Sequence, residues 1–452
     1  MNVRELNRVY FIGIGGIGMS ALARFFNEHG AIVKGYDRTR TELTGKLESE
    51  GIEIHYTDDV TLLDKETALV IYTPAIPSTH SELNWYRDNN YRVVKRSDVL
   101  QWITQSMFAI TVAGTHGKTT ISAMIAYLLR ETGFGCNAFL GGISVNYESN
   151  YWSSKNNVAV VEADEYDRSF LKLHPNIAVL TSMDPDHLDI YGTVEEMESA
   201  FIQYTRNIKE NGTLLVKHEL KRNEELKAAQ KITYSLQNNA AEAFADNIIQ
   251  QHGGYLFDVV SKYGTIHKVP LNIGGMHNVE NAVAAVTVAQ MLGIEAEKIK
   301  EAIDGFKGVK RRFEYIVKTD RVVYIDDYAH HPAELAALIK SAKTLFQGRK
   351  CIVVFQPHLF SRTRDLADGF ATSLDMADEV ILLDIYPARE LPMEGVSSKM
   401  IAERMGNPAH TILSKEGLLD YVRSAPIELL ITAGAGDIDQ LVKPIKEILE
   451  KR

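Results

Sequence analysis

The chain has 452 residues, 45% of them hydrophobic, which is more than one hydrophobic core usually supports, so two or three globular domains are expected. A formal charge of −10 without long Lys/Arg runs argues against nucleic acid as a partner, and the lack of a leader-like or membrane-spanning apolar segment predicts a cytoplasmic protein with no membrane insertion. The two cysteines, Cys136 and Cys351, have the spacing of neither a disulfide framework nor a thiolate zinc site.

Strand-like runs alternate with helical patterns along the chain, which indicates an α/β fold with parallel sheets. We expect three domains: a small Rossmann-like one over 1–105, a second α/β domain over 106–311, and another open α/β sheet over 312–452. No repeat of solenoid length interrupts this order.

The first domain opens with a strand, Arg8–Ile12, and a glycine-rich turn that leads into a helix. Gly13, Gly15 and Gly18 match the dinucleotide fingerprint, and Asp37 ends the next strand, where a carboxylate can accept a hydrogen bond from a ribose hydroxyl. A helix N-terminus recognises pyrophosphate, so the motif fits NAD and a nucleotide-diphosphate sugar equally well. A glycine turn without a ligand is the third interpretation.

The second domain carries the most informative segment, Gly114–Thr120, between the strand Phe108–Val112 and the helix Ile121–Arg130. Backbone N–H groups of such a glycine turn close around phosphate oxygens. Lys118 adds a positive charge and the Thr119 hydroxyl can hold Mg²⁺, so the sequence predicts that the protein uses ATP.

Acidic residues follow the next predicted strand, Val158–Val161, at the edge where α/β sheets bind ligands. Mg²⁺ joins one or two carboxylates to substrate phosphates, so Glu162 is the favoured metal ligand. Glu165 and Asp167 are interpreted as solvated loop charges. His187 follows a further predicted strand, Ile177–Met183, and is a candidate for a second metal, although a lone histidine is more often structural.

Asn278 and Asn281 precede the helical pattern Ala282–Leu292 and share one face if the helix starts early. They are candidates for holding a nucleotide, and an N-cap is the alternative for Asn278. Arg312 lies in a basic turn at the predicted boundary, where a guanidinium can stabilise a transferred phosphoryl group; a solvated turn is the alternative.

The third domain has two polar segments, Asp326–Pro332 and Gln356–Arg364, each directly after a predicted strand. Their position at carboxyl strand ends favours a shared cleft. The strands predicted in this domain are Val322–Ile325, Cys351–Phe355, Val380–Asp384 and Leu429–Thr432.

Taken together, these segments resemble the Mur ligases over essentially the whole chain. The motifs that carry the resemblance are Gly13–Ser20, Gly114–Thr120, Glu162–Glu165, Asp186–Asp189, His277-Asn278 with Asn281, Arg311–Phe313, Asp326–Tyr328 with His330–Pro332, and Phe355–His358 with Ser361–Thr363. The resemblance implies an N-terminal Rossmann-like domain that binds the UDP-sugar, a central P-loop ATPase with a mainly parallel sheet, and a Rossmann-like C-terminal ligase domain. It thereby favours a UDP-sugar over NAD at the first glycine motif.

The resemblance also implies roles for individual residues. The implied catalytic residues are Lys118, His187, Arg312 and His330, and the implied metal ligands are Thr119, Glu162 and His187. The implied ATP-binding residues are Gly114, Thr115, His116, Gly117, Lys118, Thr119, Thr120, Asn278, Asn281, Arg312 and Asp327. The implied substrate-binding residues are Gly13, Gly15, Gly16, Gly18, Asp37, His358 and Arg362.

The expected activity is ATP- and Mg²⁺-dependent ligation of L-alanine to UDP-N-acetylmuramate by a monomer or homodimer. Related ligases that add later amino acids carry a carbamylated lysine that Leu188–Tyr204 lacks, which fits the alanine-adding branch. Against this, Leu359 stands where that branch often has arginine. The nearest alternative is a recycling ligase that attaches a preformed tripeptide, followed by a nicotinamide oxidoreductase and a non-catalytic nucleotide-binding regulator.

Overall fold

The computed structural model describes residues 3–186, 188–388 and 390–451. The described chain forms two compact units, one of 3–246, 258–269 and 280–305, the other of 247–257, 270–279 and 306–451. Three largely parallel sheets carry the fold, so the predicted α/β class is confirmed. Within the described ranges, no helix combines the length and hydropathy needed to cross a bilayer.

The first sheet lies in the first unit and is parallel throughout, in the order β3-β2-β1-β4-β5. Its strands are β1 (Arg8–Ile12), β2 (Ile32–Tyr36), β3 (Glu53–His55), β4 (Leu69–Tyr72) and β5 (Val93–Lys95), and its helices are α1 (Ile17–Glu28), α2 (Glu42–Ser49), α3 (Ser81–Asp88) and α4 (Arg96–Ser106). The first strand has the predicted bounds because its continuous run of buried residues, Val9 to Ile12, lies between the polar Arg8 and the tight turn at Gly13.

The second sheet has ten strands in the order β15-β14-β13-β12-β11-β10-β6-β9-β7-β8. They are β6 (Phe108–Ala113), β7 (Asn137–Ser144), β8 (Ser149–Trp152), β9 (Val158–Glu162), β10 (Ile177–Leu180), β11 (Thr213–Lys217), β12 (Gln230–Ser235), β13 (Ala243–Gln251), β14 (Gly254–Ser261) and β15 (Ile266–Leu271). The helices are α5 (Lys118–Glu131), α6 (Leu188–Tyr191), α7 (Val194–Thr205), α8 (Met276–Met291) and α9 (Ala296–Asp304).

Several boundaries in this region differ from the sequence prediction. The strand expected to reach Met183 ends at Leu180, because the chain then turns toward the phosphate loop, where the Thr115 N–H donates to Ser182 O over 3.2 Å. The helix expected from Ala282 begins at Met276.

The third sheet lies in the second unit, in the order β16-β17-β21-β18-β19-β20, and only its β16–β17 pairing is antiparallel. Its strands are β16 (Glu314–Lys318), β17 (Val323–Asp327), β18 (Cys351–Phe355), β19 (Glu379–Leu382), β20 (His410–Ile412) and β21 (Leu429–Ala433). The helices are α10 (Pro332–Leu345), α11 (Phe360–Leu374), α12 (Lys399–Ala402), α13 (Lys415–Ser424) and α14 (Val442–Leu449).

Within the first unit, helix α1 packs against the β7–β8 hairpin. The ring of Phe25 lies 5.5 Å from that of Phe139 and 6.2 Å from that of Tyr151, between ring centroids. The first sheet and the phosphate-binding sheet therefore share one continuous apolar core.

Both cysteines are core residues. Cys136 is 1% exposed and Cys351 is 0% exposed, and burial raises the pKa of each thiol to about 12. Each thiol therefore stays protonated and inert at neutral pH.

Candidate active site

The predicted phosphate loop joins the end of β6 to the start of α5. Gly114 has φ +122° and Gly117 has φ +80°, conformations that side chains rarely adopt. A Cβ at Gly114 would lie 2.2 Å from Thr181 Oγ1, and one at Gly117 would lie 2.8 Å from Asn281 Oδ1. Only glycine therefore fits both positions, and the helix N-terminus is left open to an anion.

Lys118 is held inside this loop. Its Nζ donates to Gly114 O over 2.8 Å and lies 2.7 Å from Glu165 Oε1. Glu165 is 1% exposed, so its interpretation as a solvated loop charge is wrong. Burial raises the pKa of Glu165 despite the opposing charge of Lys118, and its buried Oε2 atom has no hydrogen-bond partner among the described residues.

Thr119 and Glu162, two of the predicted metal ligands, lie side by side. The Thr119 hydroxyl donates to Glu162 Oε1 over 2.9 Å, and the Gly141 N–H donates to Glu162 Oε2 over 3.0 Å. Burial raises the pKa of Glu162, while Lys118 and Thr119 lower it. A hydroxyl and a carboxylate at this distance fit Mg²⁺, which prefers oxygen ligands. The third predicted ligand, His187, lies outside the described residues.

The remaining polar residues of the phosphate loop differ in exposure, since His116 is exposed, Thr115 is half-buried and Thr120 is buried. Thr115 Oγ1 donates to Asp184 O over 2.9 Å, and His116 Nε2 lies 3.5 Å from Asp184 Oδ2. Thr120, in contrast, is 9% exposed and faces the core of the unit. A side-chain contact of Thr120 with nucleotide therefore has little support in the geometry.

The first glycine turn is braced by Asp37. The Gly15 N–H donates to Asp37 Oδ2 over 2.7 Å, and the Thr39 N–H donates to Oδ1 over 3.2 Å. Gly13 has φ +84°, as its tight turn requires. Both carboxylate oxygens thus accept backbone N–H groups, and the ribose contact expected of Asp37 stays a prediction.

A cavity of about 300 Å³ lies between the first glycine motif and the carboxylate of Glu162. One wall contains Gly16, Gly18 and Arg96, and the opposite wall contains Gly141 and Glu162. A Cβ at Gly18 would lie 2.6 Å from Arg96 Nη1, so the guanidinium covers the start of α1. Sequence reasoning missed Arg96, since a single arginine at the start of a helix carries no recognisable signal.

In the second unit, the two arginines of the basic turn have different environments. Arg311 Nε lies 3.0 Å from the buried Asp326 Oδ2, whereas Arg312 is exposed. Asp327 accepts hydrogen bonds from the N–H groups of Phe313 and Ala329, each over 2.7 Å. Burial raises the pKa of Asp327 to about 6.

The two polar segments of the second unit come together at the carboxyl edge of the third sheet. Burial lowers the pKa of both His330 and His358, and the charge of Arg362 lowers each further. The His358 ring stacks on Tyr386, with centroids 5.8 Å apart. His358 Nδ1 and Arg362 Nη1 are buried and find no hydrogen-bond partner in the part of the chain that the structure describes. Leu359, between them, has φ +70°, an uncommon conformation for a leucine.

Helix α8 carries both predicted asparagines. The N-cap alternative for Asn278 is wrong, because the helix begins at Met276 and Asn278 lies in its first turn. Asn278 Nδ2 donates to Gly274 O over 2.6 Å. Asn281 is 8% exposed and faces Gly117 of the phosphate loop.

Comparison with protein families gives three consecutive matches. Residues 8–107 match the Mur ligase family catalytic domain, 112–289 the Mur ligase middle domain, and 311–436 the Mur ligase glutamate ligase domain. Three α/β domains in this order agree with the expected architecture.

Whole-length relatives point the same way. A UDP-N-acetylmuramate–L-alanine ligase of Porphyromonas gingivalis W83 is 48% identical over 98% of this chain and 99% of its own. The enzyme of that name from Flavobacterium johnsoniae is 46% identical over 100% of both chains.

Solved structures agree with these sequence relatives. The UDP-N-acetylmuramate–alanine ligase of Thermotoga maritima is 29% identical, with a TM-score of 0.82 over 98% of this chain and 99% of that one. A murein peptide ligase of Psychrobacter arcticus, at 22% identity and a TM-score of 0.69 over 98% of this chain and 99% of that one, shares the fold. With close relatives along its entire length and a domain match in each third, the chain belongs to the Mur ligase family.

Proposed function

We propose that this protein joins L-alanine to the carboxylate of UDP-N-acetylmuramate at the expense of ATP. The observation that carries the proposal is the cavity between the glycine turn at Gly16 and the carboxylate of Glu162. A nucleotide-diphosphate sugar bound at the first glycine turn extends through that cavity toward the phosphate loop. The printed names of relatives at 44–48% identity support the choice of substrates.

Amide formation needs activation because a carboxylate is a poor electrophile. In the proposed first step, a carboxylate oxygen of the sugar acid attacks the γ-phosphorus of ATP, and ADP leaves. Such a transfer depends on alignment and charge neutralisation rather than on a protein nucleophile. Lys118 supplies a cation at the loop, and Arg312 is the proposed second one.

Magnesium belongs to the same proposal. When bound, Mg²⁺ would neutralise charge on the phosphates. Thr119 and Glu162 would hold it, and His187 stays a predicted further ligand. Releasing Thr119 from Glu162 would free one oxygen of each side chain for the ion.

In the second step, the amine of L-alanine attacks the acyl carbon, the C–N bond forms, and the bond to phosphate breaks. The amine must lose a proton, and His330 is the proposed acceptor. Burial and the charges of Arg362 and Arg312 lower the pKa of His330, so its ring is neutral at neutral pH. His358 and Arg362 are proposed substrate contacts.

We also propose that the enzyme is located in the cytoplasm and is a monomer or homodimer.

A phosphate-release assay tests the proposal. Purified protein is given ATP, Mg²⁺ and UDP-N-acetylmuramate, with L-alanine, glycine, L-serine or the preformed tripeptide as acceptor. The largest turnover is expected with L-alanine. A preference for the tripeptide would support the recycling ligase instead, and no acyl phosphate trappable by hydroxylamine under any condition would refute the mechanism.

A further inference from the structure

A buried amide connects the start of α1 to the edge of the second sheet. Asn150 lies in β8 and is 0% exposed. Its Nδ2 donates to Ile17 O and, over 3.0 Å, to Ser20 Oγ. Both acceptors lie in the first turn of α1, directly after the glycine turn. A buried amide is retained only where its donors and acceptor are satisfied.

Arg24 fixes the direction of this amide. The side chain is 4% exposed, and its Nη1 donates to Asn150 Oδ1, while its Nε and Nη2 donate to Glu50 over 2.8–3.0 Å. A guanidinium has no acceptor, so the amide oxygen must face Arg24 and the NH₂ group must face Ile17 O. The amide is therefore held in one orientation from both sides.

The same strand leads to the proposed metal ligand. β8 pairs with β7, with Tyr151 opposite Phe139. Two residues further along β7, the Gly141 N–H donates to Glu162 Oε2 over 3.0 Å. Ile17 and Gly141 line the same cavity, so Asn150 stands behind it and joins its two walls.

We propose that Asn150 is a positioning residue, which sets the distance between the diphosphate seat at the start of α1 and the carboxylate of Glu162. Arg24 orients it. The inference rests on the proposed function, because it concerns the alignment of the sugar carboxylate with the transferred phosphate. A misalignment of about 1 Å can lower a rate by about a hundredfold.

The test is Asn150→Asp, which keeps the acceptor for Arg24 and replaces the donor to Ile17 O with an oxygen. We expect kcat to fall by about tenfold to a hundredfold. The Kd of ATP, measured by isothermal titration calorimetry, should stay unchanged, because the phosphate loop itself is intact. A purely structural role would instead change the melting temperature and the Kd of ATP together.

Ser153→Ala is the matched control. The Ser153 hydroxyl donates to Glu28 at the far end of α1, so it links the same two elements away from the glycine turn. This variant should keep the wild-type kcat. Equal losses in Ser153→Ala and Asn150→Asp would overturn the inference, as would a wild-type kcat in Asn150→Asp.

If Asn150→Asp does not fold, Ser20→Ala carries the test. It removes one acceptor of the Asn150 amide and should lower kcat less, again with an unchanged Kd of ATP; an unaltered kcat would overturn the inference. Wild-type protein without phosphate release on UDP-N-acetylmuramate and L-alanine would reject the proposed function itself. Failure of the inference about Asn150 and failure of the proposed function are therefore distinguishable.

Discussion

Lys118 is paired before any phosphate arrives. The ion pair with Glu165 is nearly dry, since the side chains are 13% and 1% exposed. Removing one member of a buried pair leaves an uncompensated charge, which costs far more than the intact pair contributes. An activity test on Lys118 alone therefore mixes chemistry with stability.

We expect Lys118→Ala to lower the free energy of unfolding by about 3 kcal/mol at neutral pH, because the buried carboxylate charge of Glu165 is then uncompensated and the group must take up a proton. Adding Glu165→Gln removes that charge and should restore most of the stability. ADP formation should stay absent in both variants. Urea unfolding and a coupled ADP assay measure the two quantities. Recovery of turnover in the double variant would contradict the role of Lys118.

The Lys118–Glu165 pair also shows what one sequence can reveal at this scale. The phosphate loop could be predicted because glycine spacing, a preceding strand and a lysine form a local pattern. The partner of Lys118 could not be predicted, because the sequence alone does not distinguish Glu162 from Glu165. Only the turn after β9 decides that both carboxylates enter the site.

At the scale of elements, the start of α5 depends on the left-handed conformation of Gly117. This glycine has a second constraint, because a Cβ would lie 2.8 Å from Asn281 Oδ1 on α8. The other end of the same helix supplies a comparison. Gly133 has φ +76°, and an added Cβ there would meet open space.

Gly117→Ala and Gly133→Ala should therefore differ in their effect on ATP binding. Both pay a backbone cost of about 1–2 kcal/mol for a left-handed alanine. Only Gly117→Ala should also weaken ATP binding, since Asn281 and the loop must move to admit the methyl group. Thermal unfolding and ATP titration calorimetry separate the two effects. Equal ATP affinity in the two variants would show that the loop absorbs the methyl group without consequence.

Helix α8 illustrates why element boundaries escape the sequence. Periodic apolar residues made Ala282 the predicted start, but the helix begins at Met276. The additional turn is polar on the sequence, and its partners lie on distant segments, because Glu280 pairs with Lys217 over 2.9 Å and Asn281 faces Gly117. A polar first turn is stabilised here by tertiary contacts, which local propensity does not register.

At the scale of the molecule, the α/β sheets could be predicted because their central strands, such as β1, β6 and β18, are short apolar runs between turn residues. Their mutual packing could not. The contact of Phe25 with Phe139 joins residues more than a hundred positions apart, and so does the hydrogen bond from Arg24 to Asn150. Nothing in either local sequence marks these partners.

The stability of the whole molecule should also depend on pH through Glu82. This carboxyl is 0% exposed, and burial raises its pKa from 4.5 to about 7, although Tyr10 and the Asp59 N–H donate to it. The folded state thus binds the proton more tightly than the unfolded state. Stability from this group is present below pH 4.5 and is lost as the pH rises to about 7.

Glu82→Gln should remove this loss of stability with rising pH, which amounts to about 3 kcal/mol of unfolding free energy at most. Relative to the variant, the wild type should lose stability between pH 5 and pH 8, measured as urea midpoints in parallel series. Glu66→Gln, at a side chain that is 78% exposed, serves as the control. Parallel curves for wild type and Glu82→Gln would contradict the assignment.

The burial of Cys136 and Cys351 has a practical outcome. With both native thiols protonated and enclosed, a maleimide dye has no competing target on the folded surface. Cysteines introduced at Asp88 in one unit and Glu403 in the other, both exposed, would therefore be labelled selectively. Fluorescence energy transfer between the two dyes could then follow the separation of the units during a catalytic cycle in an otherwise native chain.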